Sequence, residues 1–548
     1  MMNIPLPERF QAPLRESHRY PRNAISSTVD NLPYALGALG DKLDSIKPTL
    51  FESDESQWEV VIRDFFPADG RAVAKCNAHH LSELSDFLGI ERDTSSRPEL
   101  IQAKKKYPKC RFILPASIIK LKSLSRNLYA VSSRAPLLLT PEMFGELMTY
   151  HQVMPNIVDF ISLFGEKSQP NDLIFSGFSA QPIMTKPVSG RAVDGLGRSG
   201  KQYQLCYNLK CANMKMKHPT DFTSDEWSIH QAVIHHQFDV VGGETLWLVV
   251  KRGMDLELQK RFKDLMSDKS PSEYRSFGDP EESFRSSLSA HLMYCLWARE
   301  GWRGYIGWLE RLADQESVRG IDKEYTPPDI QNIQICEEAA GLAIAALEGN
   351  IDVISAMLEF YRSAVKDRNF TVKGDCAGEV ALFATQVKSI NVQFAMEVKR
   401  AQALVKCISA RRELVIQHLQ NQSASRMEKL SHRMEQEQNM MLIITTVTLI
   451  YLPATFVSTF FSTDIIKYQG TDSPGGSYSE TAMTRWLQIT IPLTVLTGLG
   501  AWFGRKALQR GWEHENQVPY TGSFPPADSQ DWLGRIKQLF VPPRSLLP

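Results

Sequence analysis

The sequence has no net charge, since its 62 lysines and arginines balance 62 aspartates and glutamates. No whole-protein field therefore singles out nucleic acid or an acidic surface as a partner, and no nucleic-acid binding is expected. The eight cysteines, Cys76, Cys110, Cys206, Cys211, Cys295, Cys336, Cys376 and Cys407, include no CxxC pair. The usual zinc-ribbon and redox patterns are thereby excluded, and the thiols are read as reduced and mostly buried. The first thirty residues have no apolar core and place Arg9, Arg15, Arg19 and Arg22 among Glu8 and Glu16. Neither a secretory signal nor a transit peptide is read there, and the N-terminus is expected in the cytosol. With no Ser/His/Asp or paired-carboxylate constellation in view, no enzyme and no resident cofactor are expected.

Two further absences are more informative. From Asn439 to Thr463 there is no charged residue, and the middle of the run reads MLIITTVTLIYLPATFVSTFF. A second uncharged run, Trp486 to Gly504, lies between Arg485 and Arg505 and has Trp486 and Trp502 near its ends. Both are long enough to span a bilayer, and tryptophan favours the lipid interface. The alternative, two buried helices of a soluble protein, fits charge-free runs of this length poorly. Lys429 and Arg433 precede the first run and Arg505, Lys506 and Arg510 follow the second, whereas the loop between holds Lys467 and Arg485 against Asp464, Asp472 and Glu480. The expectation is a multi-pass membrane protein in contact with lipid, with both termini cytosolic.

Between Glu379 and Leu452 there is neither glycine nor proline. Nothing there breaks a helix, and a continuous one would run for about 110 Å at about 1.5 Å per residue. Phe383, Val387, Ile390, Phe394, Ala401, Leu404, Ile408 and Val415 recur at steps of three, four or seven, a packing seam that calls for partners. A second register continues through Met427, Leu430 and Met434 into Met441, Thr445, Thr448, Leu452, Thr455, Thr459 and Ser462. In the membrane half this stripe is mainly hydroxyl while most other positions are apolar, the pattern of a pore-lining helix. Threonines that bond their own carbonyls, or that fill helix contacts, would read the same way. Pro453 frees a carbonyl one turn back and marks a local kink.

Upstream, residues 1–50 are rich in proline, serine and charge and are read as a disordered arm. Residues 51–250 mix alternating runs, such as Trp58–Ile62, Arg111–Leu114 and Thr245–Val250, with helical stretches, an α/β (or α+β) cytosolic head. Residues 251–375 are read as a helical cytosolic region, with Gly349 and Asn350 as a break between two helices. Residues 376–439 are the stalk helix, 440–463 the first transmembrane helix, 464–485 an external loop, 486–504 the second transmembrane helix and 505–548 a cytosolic tail. In that tail Trp532, Leu533, Ile536, Leu539 and Phe540 share one helical face, suited to a membrane surface or to the stalk.

These parts, in this order, resemble the CorA-type magnesium channel family and in particular its fungal branch. TLIYLPATFVSTFF from Thr448 to Phe461 is similar to that family's first span, WLQITIPLTVLTGL from Trp486 to Leu499 to its second, and WSIHQAVIHHQFD with ETLWLVVK, Trp227 to Lys251, to a segment of its head. The resemblance covers roughly residues 200–505. It implies a homopentameric divalent-cation channel, with magnesium as both transported and regulatory ion. The family's Gly-Met-Asn falls on Ser462, Thr463 and Asp464, so the motif itself is absent. Ser462, Thr463 and Asp464 become the candidate pore mouth and Asp464 the candidate metal-binding residue, although it reads equally as a solvated residue ending a helix. The second reading of the whole chain is a membrane-anchored oligomeric scaffold whose pore no longer conducts.

Two weaker motifs are present. Gly195 to Lys201 satisfies a GxGxxG, but Gln202 replaces the metal-binding hydroxyl and QYQLCYNL after it reads as a strand, so a flexible loop is expected. His230, His235 and His236 have no zinc spacing and are expected to be satisfied or exposed.

Overall fold

The structure is a computed structural model that describes residues 3–25, 32–66, 73–93, 95, 98–117, 136–165, 174–214, 227–252, 276–318, 327–462 and 480–515. The chain divides into two units, Met1–Gln420 and Asn421–Pro548.

In the first unit the β-branched and aromatic runs become strands. In chain order the elements are β1 (Ile4–Pro5), α1 (Glu8–Arg15), α2 (Pro33–Leu50), β2 (Val60–Phe65), β3 (Val73–Ala78), α3 (Leu81–Leu88), β4 (Ile90–Asp93), β5 (Leu100–Ala103), β6 (Cys110–Ser117), α4 (Pro141–His151), α5 (Ile157–Ile161), β7 (Phe178–Ile183), β8 (Gln202–Met214), β9 (Trp227–Asp239) and β10 (Thr245–Arg252). Four helices follow: α6 (Pro280–Arg299), α7 (Trp302–Val318), α8 (Pro327–Ala364) and α9 (Cys376–Phe461). A seven-stranded sheet runs β3-β2-β6-β10-β9-β8-β7, antiparallel except where β6 meets β10, and β1, β5 and β4 form a second, small sheet.

Both faces of the central strands are buried, so polar residues on them, such as Gln204, Asn208 and Lys210 of β8, are buried too. Tyr203, Leu205, Tyr207 and Leu209 of β8, with Trp247 and Val249 of β10, point into a core shared with α6, α7, α8 and α9. Cys206, Val233, Leu246, Leu248 and Val250 point into a second core, shared with α1 to α5. The alternation is the two-residue period of a strand, each face committed to its own helical layer. The sequence boundary near residue 250 is therefore not a physical one: sheet and later helices share a core.

Residues 3–25 and 32–50 correct another expectation. They carry β1, α1 and α2, and Phe10, Leu14, Leu43 and Leu50 are buried in the second core. Proline and charge suggested disorder, but Pro33 sits in the first turn of α2, where a missing N–H costs nothing.

Gly349 and Asn350 do not break a helix either; α8 runs through both. Strand β7 pairs with β8 only as far as Tyr207, so the backbone of Lys210 lies beyond its last partner. Asn350 completes the ladder, accepting from Lys210 N at 2.9 Å and donating to Lys210 O at 2.7 Å. Gly349 permits the approach, since a Cβ there would stand 2.1 Å from Ser176 Oγ.

Three described helical stretches are long and apolar enough to cross a membrane: Pro328–Ala364, Cys376–Phe460 and Met483–Gly504. The first differs in kind. Half of its apolar window is buried inside the unit, against 11% and 6% for the other two. Ala340, Ala343, Ala346, Leu347, Ile354 and Tyr361 are what the sheet packs against.

Replacing Asn350 with leucine removes both bonds while keeping the side-chain volume, leaving a buried N–H and C=O unpaired. Thermal or denaturant unfolding of the full chain should show a loss of about 2–5 kcal/mol. A loss below about 0.5 kcal/mol would show that the bridge contributes nothing.

Candidate functional site

Helix α9 serves two chemistries along one backbone. Up to Gln420 its seam residues Phe383, Val387, Ile390, Phe394, Ala401, Leu404 and Ile408 are buried in the first core, against helices of the same chain. The seam is thus satisfied without a second copy, contrary to what its period suggested. Ion pairs tie the same stretch down: Arg400 to Glu310 at 2.6 Å, Arg411 to Asp314 at 2.8 Å, Arg412 to Glu337 at 2.7 Å and Arg285 to Glu379 at 2.7 Å. These clamps were not read from sequence. Paired Arg411 and Arg412 on an otherwise packed helix were the signal, but their partners lie about a hundred residues or fewer upstream and only the fold brings them near.

In the second unit Met427, Leu430, Met434 and Met441 are exposed, as are Thr445, Thr448, Leu452, Thr455, Thr459 and Ser462. Five hydroxyls lie on this one stripe, and each gives its only proton to its own helix. Thr445 donates to Met441 O at 2.7 Å, Thr448 to Ile444 O, Thr455 to Tyr451 O and Leu452 O at 3.0 Å, Thr459 to Thr455 O at 2.7 Å, and Ser462 to Thr459 O at 2.8 Å. Thr446 off the stripe, and Thr494 on α10 (Glu480–Glu515), do the same. Back-bonding is therefore a habit of threonine in these helices. What distinguishes the stripe is that the hydroxyls gather on one face and, their protons spent, offer only lone pairs outward.

Pro453 does not interrupt α9, and Pro453 and Val457 are buried. Trp486 Nε1 donates to Ser458 Oγ at 3.1 Å, which ties α10 to α9 off the stripe. A groove of about 440 Å³ is lined by Leu452, Pro453, Thr455, Phe456, Thr459, Leu493 and Thr497. Thr463 and Asp464, the rest of the candidate mouth, lie outside the described residues, as do the loop through residue 479 and the tail face at Trp532 to Phe540.

The weaker motifs resolve in the first unit. Gly195 to Lys201 is a packed turn rather than a flexible loop: Gly197 and Gly200 adopt φ of +84° and +76°, Leu196 and Arg198 are buried, and strand β8 follows. Without a helix start there is no cradle for a phosphate. His235 and His236 are fully buried on opposite faces of β9. His236 stacks on Trp247 with ring centroids 4.0 Å apart, and its Nδ1 meets His291 Nε2 at 3.2 Å. Among the described residues no group of three or more His, Cys, Asp or Glu is gathered to hold a metal.

Burial depresses His235 and His291 to about 3, and burial, then His291 and His235, push His236 down as well. A histidine held neutral by the fold gives stability that is fully present above its unfolded value near 6.5 and is lost as pH falls below that value toward the folded one. The full chain should therefore unfold at progressively lower temperature between pH 6.5 and 5. His235→Gln should flatten the dependence. An unchanged slope would remove these histidines as its cause.

A family model described as CorA-like transporters matches residues 12–321. The match runs from within α1 through α7 and stops before α8, so it rests on the first unit. No curated protein sequence matches the chain. Among solved structures the chain is similar to full-length CmaX protein, at 10% identity and a TM-score of 0.31 over 84% of this chain and 100% of that one. It is also similar to the cytoplasmic domain of ZntB from Vibrio parahaemolyticus, at 10% identity and a TM-score of 0.29 over 59% and 98%. A third is the CorA magnesium transporter from Methanocaldococcus jannaschii, at 11% identity and a TM-score of 0.24 over 80% and 96%.

Proposed function

The chain belongs to the CorA-like transporter family, a family of transporters and not of enzymes, and from that premise we propose that it is a membrane channel for divalent cations, with magnesium the expected ion. Two spans per copy fit better than three, because α8 is half-buried in the first unit whereas the windows of α9 and α10 are almost wholly exposed. The charge distribution then keeps both termini in the cytosol. Copies assemble around the stripe of α9; five copies is the number the family resemblance implies.

The observation that carries this reading is that Thr445, Thr448, Thr455, Thr459 and Ser462 gather on one exposed face of α9 with their protons committed to their own helix. A magnesium ion gives up its water reluctantly, and the waters of its inner shell point their hydrogens outward. A wall of hydroxyls whose own protons face the helix offers that shell acceptors and no competing donors. Leu452, exposed on the stripe between Thr448 and Thr455, forms an apolar constriction. Asp464 follows as the first charge beyond the stripe. Carboxylates gathered there around an axis would repel one another unless a cation lay between them.

The scaffold reading keeps the same fold and differs only in flux. Protein reconstituted into vesicles should take up magnesium; Asp464→Ala should reduce uptake about tenfold or more, and Asp464→Asn should largely preserve it. Thr455→Val, which keeps shape and removes the acceptor, should slow uptake more than Thr446→Val. Native protein that is folded and oligomeric yet carries no divalent cation would overturn the channel and leave the scaffold.

A further inference from the structure

In the second core, on the face of the sheet away from α6 to α9, charge is left unbalanced. Arg111 of β6 is buried and makes a bidentate pair with buried Asp64 of β2, Nε to Oδ1 at 2.7 Å and Nη2 to Oδ2 at 2.6 Å. Its third nitrogen, Nη1, is buried and has no acceptor among the described residues. Arg198, from the turn before β8, is buried beside it with no carboxylate partner among the described residues. Its guanidinium carbon lies 4.4 Å from the ring centre of Tyr107, 5.2 Å from that of Tyr150 and 5.7 Å from that of Phe10. Its Nη1 donates to Tyr150 O at 2.8 Å. The ring of Tyr107 is shared, with Arg111 at 5.1 Å. Two guanidiniums thus flank one tyrosine with a single carboxylate between them.

His151, at the end of α4, closes the group. Its Nδ1 lies 2.8 Å from Tyr107 Oη and 3.4 Å from Arg198 Nη2. A guanidinium can only donate, so Nδ1 accepts and the ring proton sits on Nε2. That Nε2–H is buried and has no partner among the described residues. The ring is held neutral by burial first and then by Arg111 and Arg198, so it adds no charge of its own. The carboxylates of neighbouring elements are spoken for: Glu146 binds Arg92 and Ser85, and Asp239 binds Ser199, Val241 and Gly242.

Two buried donors without acceptors and one guanidinium without a counter-charge are a combination that folded proteins almost always satisfy with an ion or water. Water would answer the donors and leave the charge. We propose that Arg111, Arg198 and His151 hold a small inorganic anion of halide type, chloride in ordinary salt, as a built-in part of this unit. The anion accepts from Arg111 Nη1 and His151 Nε2 and neutralises Arg198, whose aromatic surroundings exclude bulk water. The site is independent of the proposed pore, because it lies wholly in the unit Met1–Gln420 and uses none of the stripe.

The test is thermal unfolding of the full-length protein in detergent, titrating sodium chloride against sodium gluconate at constant ionic strength. A saturable rise in the unfolding midpoint is expected, on the order of 2 °C at tenfold excess over the dissociation constant. Arg198→Met removes the uncompensated charge and should abolish the chloride dependence. Crystals of the native protein grown in bromide provide a reading that needs no variant, with anomalous density expected among Arg111, Arg198 and His151. Equal midpoints in chloride and gluconate, a chloride dependence that survives in Arg198→Met, or bromide absent from the cluster would each overturn the proposal.

Discussion

One unbroken backbone, α9 from Cys376 to Phe461, has to obey two opposite rules for its side chains, and most of the structure follows from how it does so. In the first unit the helix must bury its apolar face, since a helix exposed to water gains its stability from packing rather than from propensity. Val380, Phe383, Val387, Ile390 and Phe394 meet that demand in the core under the sheet, and the arginines at 400, 411 and 412 fix its rotation against α7 and α8. Ion pairs this exposed add little stability, typically below about 1 kcal/mol each. Their effect is to set register.

In the second unit the rule inverts. A helix segment with no charge and little water around it has to satisfy its polar groups from within, and off the stripe Thr446 does so by donating to Leu442 O one turn back. Exposed apolar residues there, such as Ile443, Ile444, Ile450 and Phe456, are what a helix able to cross a membrane presents. The absence of glycine and proline from Glu379 to Leu452 lets a single helix carry both demands.

The strands and the two apolar runs were legible in the sequence because each depends on a local period or on a local lack of charge. The strands Val60–Phe65, Cys110–Ser117 and Thr245–Arg252 fall on the alternating or β-branched runs Trp58–Ile62, Arg111–Leu114 and Thr245–Val250. What was not legible depends on partners distant in the chain. The N-terminal helices resembled an arm because Phe10, Leu14 and Leu43 are few, and what buries them, α4, α5 and the sheet strands of the second core, is distant in sequence. Gly349 and Asn350 resembled a helix break because nothing nearby in sequence reveals that β7 ends short of Lys210. The seam of α9 was visible but its partner was misassigned: period identifies a buried face and not what buries it. The register of the hydroxyl stripe is visible in the sequence; the direction in which each hydroxyl donates is visible only in the structure.

The central claim is that the stripe faces an aqueous axis. The most direct measurement places single cysteines at Thr455, Thr459 and, as an off-stripe control, Val447, in a chain whose exposed Cys407 has been changed to serine, and follows magnesium uptake during treatment with a charged, water-soluble thiol reagent. The account predicts that reagent blocks uptake at 455 and 459 and leaves 447 unaffected. Block at 447 with none at 455 and 459 would place a different face of α9 on the axis and contradict it.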